Sequence, residues 1–151
     1  MTLPATGTTT LTNWSTAAPY YPHASFNAAT GTFTAPTTGR YGFKVTINYG
    51  AGTLTANIGG TADPAFFLRR NSPVTTNLIA GNLEVIDVNI ALVLTLRIIP
   101  SNGQVVMTGD VLLNAGDTVV VLYFSDGLNV PIPLGGAANQ PGAVFSCMQL
   151  G

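Results

Sequence analysis

The sequence predicts an all-β fold, an antiparallel sandwich or barrel of roughly eight to ten strands joined by short turns. Apolar and polar residues alternate with a period of two along several stretches, as they do in half-buried strands. Lys44 is the only lysine and Glu84 the only glutamate, which leaves a water-exposed helix without its usual residues. An apolar fraction of 46% is enough for a core and excludes intrinsic disorder.

Two stretches predict the longest strands. Between Tyr41 and Tyr49 every second residue is large and apolar, so this strand turns one face to the core. Between Ile86 and Ile98 the same spacing recurs, which predicts one long strand. A weaker alternation lies at residues 53–58. Further strands are expected at residues 65–70, 74–79, 105–113, 118–125 and 143–150.

Turn-forming residues separate these stretches. Pro, Gly, Asn and Asp cluster at residues 36–39, 50–52, 59–64, 100–103 and 114–117. Residues 127–142, rich in Pro and Gly, are expected to form a surface loop before the last strand. A length of 151 residues suits one domain over residues 1–151, with residues 1–12 as a loosely ordered lead-in.

One predicted strand is apolar on both faces. Residues 119–124 read Val-Val-Val-Leu-Tyr-Phe, with no polar side at all. The outer strand of a monomeric sandwich should have one face in water. Either other elements cover this strand, or its second face meets another subunit, and the scarcity of charge favours the subunit.

The charge content excludes several classes of partner. Only 7% of the residues are charged, against about 25% in ordinary globular proteins. A net charge of −1 provides no field that would attract nucleic acid or anionic lipid. The most apolar stretch, residues 90–94, is too short to cross about 30 Å of hydrocarbon, so membrane insertion is not expected. The single Cys147 excludes an intramolecular disulfide.

Residues 26–43 resemble the signature of the globular heads of the complement C1q family. That pattern is an aromatic residue and Asn or Asp, then Thr-Gly-x-Phe-Thr-x-Pro-x-x-Gly-x-Tyr-x-Phe, and each fixed element is present here. The physical reasons fit, since Gly31 permits a tight turn, and Pro36 and Gly39 shape a second turn.

Two later stretches agree with the same family in order. Residues 107–119 resemble its apolar strand, its turn, here Gly116-Asp117, and its next strand. Phe145-Ser146 resembles its closing strand, although Cys147 stands where the family usually has Gly. The resemblance is weak over residues 50–100, and the bias towards Thr, Asn, Ala and Gly resembles the C1q-like heads of bacterial collagen-like proteins, such as exosporium glycoproteins of spores.

The resemblance implies a ten-stranded jelly roll, shared with the tumour necrosis factor superfamily, that packs as a homotrimer. It also implies a non-enzymatic head that joins three chains of an adjoining collagen-like stalk at an extracellular, cell or spore surface. The residues expected to pack the core and the trimer interface are Tyr41, Phe43, Tyr123, Phe124 and Phe145.

Catalysis has few residues to use. His23 is the only histidine, and a nucleophile–histidine arrangement would have to pair it with Cys147. His23 is better interpreted as a half-buried structural histidine, and Cys147 as a small buried apolar residue. The carboxylates are scattered without an Asp-x-Asp loop, although a three-fold axis could gather copies of one of them. No catalytic residue, metal or cofactor is therefore expected.

The alternative function is a receptor- or carbohydrate-binding jelly-roll tip of a phage or virus fibre. In that case residues 127–142 would recognise the surface ligand or glycan. A glycan array separates the two hypotheses.

Overall fold

The computed structural model describes residues 1–50, 55–56, 61–90, 94–135 and 141–150, and within these ranges the secondary structure is strand and turn without helix. The fourteen strands in these ranges are β1 (Thr2–Leu3), β2 (Thr8–Thr10), β3 (Phe26–Asn27), β4 (Thr32–Thr34), β5 (Gly39–Gly50), β6 (Thr55–Ala56), β7 (Ala65–Ser72), β8 (Thr76–Asn82), β9 (Ile86–Ile90), β10 (Leu94–Ile99), β11 (Asn102–Leu113), β12 (Thr118–Phe124), β13 (Ile132–Pro133) and β14 (Ala143–Leu150). Several are only two or three residues long, so the count exceeds the ten that the resemblance implies.

Two antiparallel sheets face each other. The first sheet has the order β11-β5-β14, and the second has the order β3-β4-β12-β7-β8, with β2 also paired to β12. Along the chain the path changes sheet from β4 to β5, from β5 to β7, from β8 to β11, from β11 to β12 and from β12 to β14. Repeated crossing between two sheets is the connectivity of a jelly roll. The all-β jelly-roll sandwich predicted from the sequence is therefore confirmed.

The core lies between the two sheets. The inward residues of the first sheet come mainly from β5, in which Tyr41, Phe43, Val45, Ile47 and Tyr49 are all buried. Those of the second sheet come mainly from β7 and β12, namely Phe66, Leu68, Val119, Val121 and Tyr123. The ring of Phe33, on β4, meets Tyr41 and Phe43 edge-on with centroids 5.6 Å apart in both pairs. Each buried aromatic or aliphatic side chain of this kind stabilises the fold by about 1.5–3 kcal/mol.

The strand that is apolar on both faces is covered within one chain. β12 lies inside the second sheet, with β7 on one edge and both β4 and β2 along the other. Val120 and Leu122, on the face turned away from the core, are only 3% and 4% exposed. A partner subunit is therefore not needed to explain this strand, and the first of the two interpretations holds.

The prediction of one long strand between Ile86 and Ile98 is wrong. The chain reverses, and β9 and β10 pair antiparallel with Asn89 opposite Thr95 and Asp87 opposite Arg97. The Arg97 guanidinium bonds the carboxylates of Asp87 and Asp63, which favours this cross-strand pairing. Apolar and polar residues alternate on both sides of the reversal, and no Gly or Pro marks the turn in the sequence. Alternation alone therefore predicts one continuous strand.

β10 also pairs with β6, which makes a small separate sheet of the order β6-β10-β9. β6 is the part of the alternation at residues 53–58 that the structure describes. The rest of that alternation lies outside the described residues.

The first twelve residues differ from the loosely ordered lead-in that was expected. β1 pairs with β13, and β2 pairs with the end of β12. Leu3 and Leu11 are buried in the core, and the Leu11 amide donates to the Val121 carbonyl at 2.9 Å. Two buried leucines and two strand pairings fix this segment against the sandwich. None of the described residues belongs to a helix long and apolar enough to cross a bilayer.

Candidate functional site

The outward side of the first sheet carries an exposed apolar surface, which we call the outer face. It is formed by alternate residues of β11, β5 and β14 in register, so that Val106, Thr46 and Val144 form one row. Its apolar members are Val106, Leu112, Val144, Met148 and Leu150. Leu112 and Met148 are the most exposed of them, at 68% and 65%.

Three charged side chains lie on the outer face. Arg40 and Asp110 pair with each other through Nη2 and Oδ2 at 3.3 Å, which neutralises both. Among the described residues of β5, β11 and β14, Lys44 is the remaining charged side chain. Lys44 lies at the centre of the outer face, opposite Thr108 on β11 and Ser146 on β14, so the apolar side chains lie towards the two ends of the face.

The outer face was not predicted from the sequence, although the sequence of β11 contains a pattern that indicates it. β11 contains the neighbouring apolar pairs Val105-Val106 and Leu112-Leu113, of which one member is buried and the other exposed. A strand with one face in water should place a polar residue at each outward position. Paired apolar residues in an otherwise alternating strand therefore mark a second face that another surface can cover.

The aromatic residues expected at the core and the trimer interface lie in three different places. Tyr41, Phe43 and Tyr123 are at most 2% exposed within one chain, so they pack the core rather than any neighbour. Phe124 is 37% exposed on the second sheet, away from the outer face. Phe145 is half-buried at the edge of the first sheet.

Two turns of the resemblance come together in space. The turn before β5, which contains Pro36 and leads into Gly39 at the start of that strand, meets the turn between β11 and β12. The Ala35 amide donates to the Asp117 carbonyl at 2.9 Å, and the Gly116 amide donates to the Ala35 carbonyl at 2.8 Å.

Asp117 is buried in this junction. Its carboxylate accepts from the Asn114 amide at 3.1 Å and pairs with Arg70 at 3.5 Å. Gly31 and Gly116 both have positive φ, at 67° and 88°, where a side chain is strained.

His23 and Cys147 line the same cavity, beside β14. Burial raises the pKa of the Cys147 thiol to about 12, so it is protonated at neutral pH. A nucleophilic cysteine needs the opposite shift. His23 Nδ1 accepts a hydrogen bond from the Ser25 amide at 3.2 Å. His23 and Cys147 thus line one cavity, but the Cys147 thiol is not activated.

Metal-binding groups of three or more His, Cys, Asp or Glu residues are absent from the part of the chain that the structure describes. Residues 127–142, expected as one surface loop, are partly anchored. Leu128 and Ile132 are buried, and β13 pairs with β1. Residues 136–140 lie outside the described ranges.

Comparisons with known proteins found matches among solved structures alone. No family model matches the chain, and no curated protein matches it. Among solved structures, the chain is similar to the globular domain of zebrafish complement 1qA protein, with 16% sequence identity. The match covers 99% of this chain and 93% of that chain, with a TM-score of 0.45. A likeness at this level assigns no function to the chain.

Proposed function

We propose that this chain is a non-enzymatic, trimerising head domain of a collagen-like structural protein at an extracellular or cell surface. The observation that carries the proposal is the outer face, with its exposed Leu112 and Met148 and its paired Arg40 and Asp110. The head joins three chains and presents a stable surface to its surroundings.

Assembly follows from the chemistry of the outer face. Soluble monomers rarely expose contiguous apolar patches of more than a few hundred Å². Most soluble homo-oligomers close by rotational symmetry, which leaves no apolar surface free. Three copies that meet through their outer faces cover these side chains, and Arg40 and Asp110 neutralise each other in the contact. Burial of Lys44 in the same contact requires an acceptor for its ammonium group.

The setting rests on the sequence. The signature at residues 26–43 supports a head of the C1q kind, and the bias towards Thr, Asn, Ala and Gly favours a bacterial collagen-like protein, with a spore surface as one setting. An adjoining collagen-like stalk is part of the same proposal.

Solution mass tests the assembly. Light scattering on a size-exclusion column is expected to give a trimer of about 47 kDa from chains of 15.6 kDa, stable to dilution. The double variant Leu112→Asp, Met148→Asp places two charges on the outer face, and we expect it to elute as a monomer with an unchanged circular dichroism spectrum.

The matched control is Val74→Asp, which changes an equally exposed apolar residue between β7 and β8, at 63% exposure. It is expected to remain trimeric. A wild-type chain that elutes at 15.6 kDa would remove the trimerising function and leave only the fold.

A further inference from the structure

A cavity of about 830 Å³ lies between the segment of residues 14–26 and the edge of β14. This volume falls in the range of about 300–1,000 Å³ that small-ligand sites occupy. Its floor is aromatic, because the ring of Phe145 stacks on Phe26 with centroids 5.0 Å apart and meets Trp14 at 6.0 Å. These contacts hold the floor in one shape.

The cavity carries no formal charge. Its lining residues include no Asp, Glu, Lys or Arg. A charged ligand would lose its hydration there without gaining an ionic partner, which is costly. The lining therefore selects for an uncharged ligand.

The rim offers aromatic ring faces. Tyr21 is 76% exposed and Tyr20 is 38% exposed, and both line the cavity. Flat, exposed tyrosine rings stack on the C–H faces of sugar rings, which are apolar although their edges carry hydroxyl groups. Tyrosine gives such contact area at low cost in side-chain entropy.

The edge of β14 provides hydrogen-bonding groups. The Asn48 amide donates to the Gly142 carbonyl at 2.9 Å, so the pairs bonded to β5 fall at residues 142, 144, 146 and 148. The backbone N–H and C=O groups of Phe145 and Cys147 then point to the opposite edge, where no other described strand pairs with β14. Neutral polar side chains add to these groups, namely those of Ser15, Thr16, Ser25, Ser146 and Gln149.

We propose that this cavity binds a neutral saccharide. Exposed ring faces on one side, a ladder of backbone donors and acceptors on the other, and an uncharged lining together fit a ligand with apolar faces and hydroxyl edges. The proposal does not rest on the trimerising function, because its tyrosines and hydroxyls come from residues 15–25, although Val144 and Met148 line the cavity and also belong to the outer face.

An extended peptide is the competing ligand, because it could add a strand to β14. Strand addition needs about 4.8 Å of free width along the edge. The tyrosines and hydroxyls that residues 15–25 place on the cavity would have no role in such backbone pairing. The observations therefore favour the saccharide.

Trp14 is the only tryptophan and lines the cavity, so its fluorescence reports binding directly. An array of neutral glycans, together with their sialylated or sulfated counterparts, identifies the probe. The strongest neutral glycan is then titrated while Trp14 emission is followed. We expect saturable binding of the neutral glycan and at least about tenfold weaker binding of its acidic counterpart.

Variants locate the site. Tyr21→Ala, at a highly exposed position, is expected to weaken binding at least about tenfold, whereas Phe124→Ala, which removes an exposed ring outside the cavity, leaves it unchanged. The proposal is overturned if no neutral glycan on the array binds, if acidic counterparts bind equally well, or if Tyr21→Ala binds like the wild type. Saturation of the Trp14 signal by an uncharged alternating Thr-Val peptide, with no response to glycans, would assign the site to strand addition instead.

Discussion

At the scale of single residues, Asp117 connects two turns and a neighbouring strand. Its carboxylate accepts from the Asn114 amide and pairs with Arg70, whose side chain is itself mostly buried. Removal of a buried charge partner leaves the other groups unsatisfied in a medium where they cannot be hydrated. Asp110, in contrast, pairs with Arg40 at the surface.

These two aspartates make a matched comparison. Asp117→Ala is expected to lower the free energy of unfolding by about 2–3 kcal/mol. Asp110→Ala is expected to change it by less than about 1 kcal/mol, because exposed pairs are screened by water. Urea unfolding followed by circular dichroism measures both. Equal losses in the two variants would show that burial does not determine the role of Asp117.

The buried thiol of Cys147 makes the stability of the folded state depend on pH in the alkaline range. Burial raises the pKa of its thiol from 9.0 to about 12, so in that interval the unfolded chain releases a proton that the folded chain retains. The folded state is therefore fully favoured below pH 9 and loses stability as the pH rises from 9 towards 12. Burial also raises the pKa of Tyr123, from 10.0 to about 12, which acts in the same direction.

The Cys147→Ala variant isolates the thiol contribution. Urea midpoints at several pH values between 9 and 12 are expected to fall less steeply for this variant than for the wild type. The contribution of Tyr123 stays in both proteins and serves as the internal reference. Superimposable pH profiles would mean that the Cys147 thiol titrates as it does in the unfolded chain.

At the scale of elements, two glycine turns differ in what surrounds them. Both Gly31 and Gly116 have positive φ, but a Cβ on Gly31 would lie 2.0 Å from the Leu11 carbonyl oxygen. A Cβ on Gly116 would meet no atom within 4 Å. The position of Gly31 thus requires both a positive φ and the absence of a side chain. The position of Gly116 requires only the positive φ.

Alanine substitutions separate the two effects. Gly116→Ala is expected to cost about 1–2 kcal/mol, the strain of a left-handed conformation alone. Gly31→Ala is expected to cost about 3 kcal/mol or more, because the turn must also move away from Leu11. Thermal and urea unfolding of both variants provide the comparison. Similar losses would indicate that the segment around Leu11 yields easily.

Strands were predictable where alternation reports burial directly. The strand expected at residues 143–150 coincides with β14, and that expected at 118–125 ends one residue beyond β12. Alternation could not show the reversal between β9 and β10, because each half keeps the same period. It also could not show β1 and β2, whose two or three residues are too short to display a period.

At the scale of the whole molecule, pattern and topology carry different information. Alternation tells which residues of β5 point inward, but only the order of strands tells what lies on the opposite side. β12 is inside a sheet and is covered on both faces, whereas the first sheet leaves its outward side open. The apolar run in β12 therefore needs no second subunit, and the proposed assembly depends instead on exposed residues such as Leu112 and Met148.

The cavity beside β14 could not be predicted from the sequence either. Its walls come from residues 14–26 and from residues 141–149, which are adjacent only because β14 lies next to β5 and the aromatic rings of Trp14, Phe26 and Phe145 meet. Of the cavity residues, His23 and Cys147 stood out in the sequence for their chemistry. The tyrosines and neutral side chains that give the cavity its character did not.

The pairing of β5 with β14 also determines when the protein can fold during synthesis. Ile47 lies opposite Ala143 and Arg40 opposite Leu150, so partners in this sheet are separated by about 100 residues of chain, a separation typical of slow-folding β proteins. Until the ribosome has released residue 150, β5 keeps an unpaired edge, and nascent chains on neighbouring ribosomes can pair with it wrongly. The edge of β5 therefore stays open to wrong pairing until β14 has been synthesised.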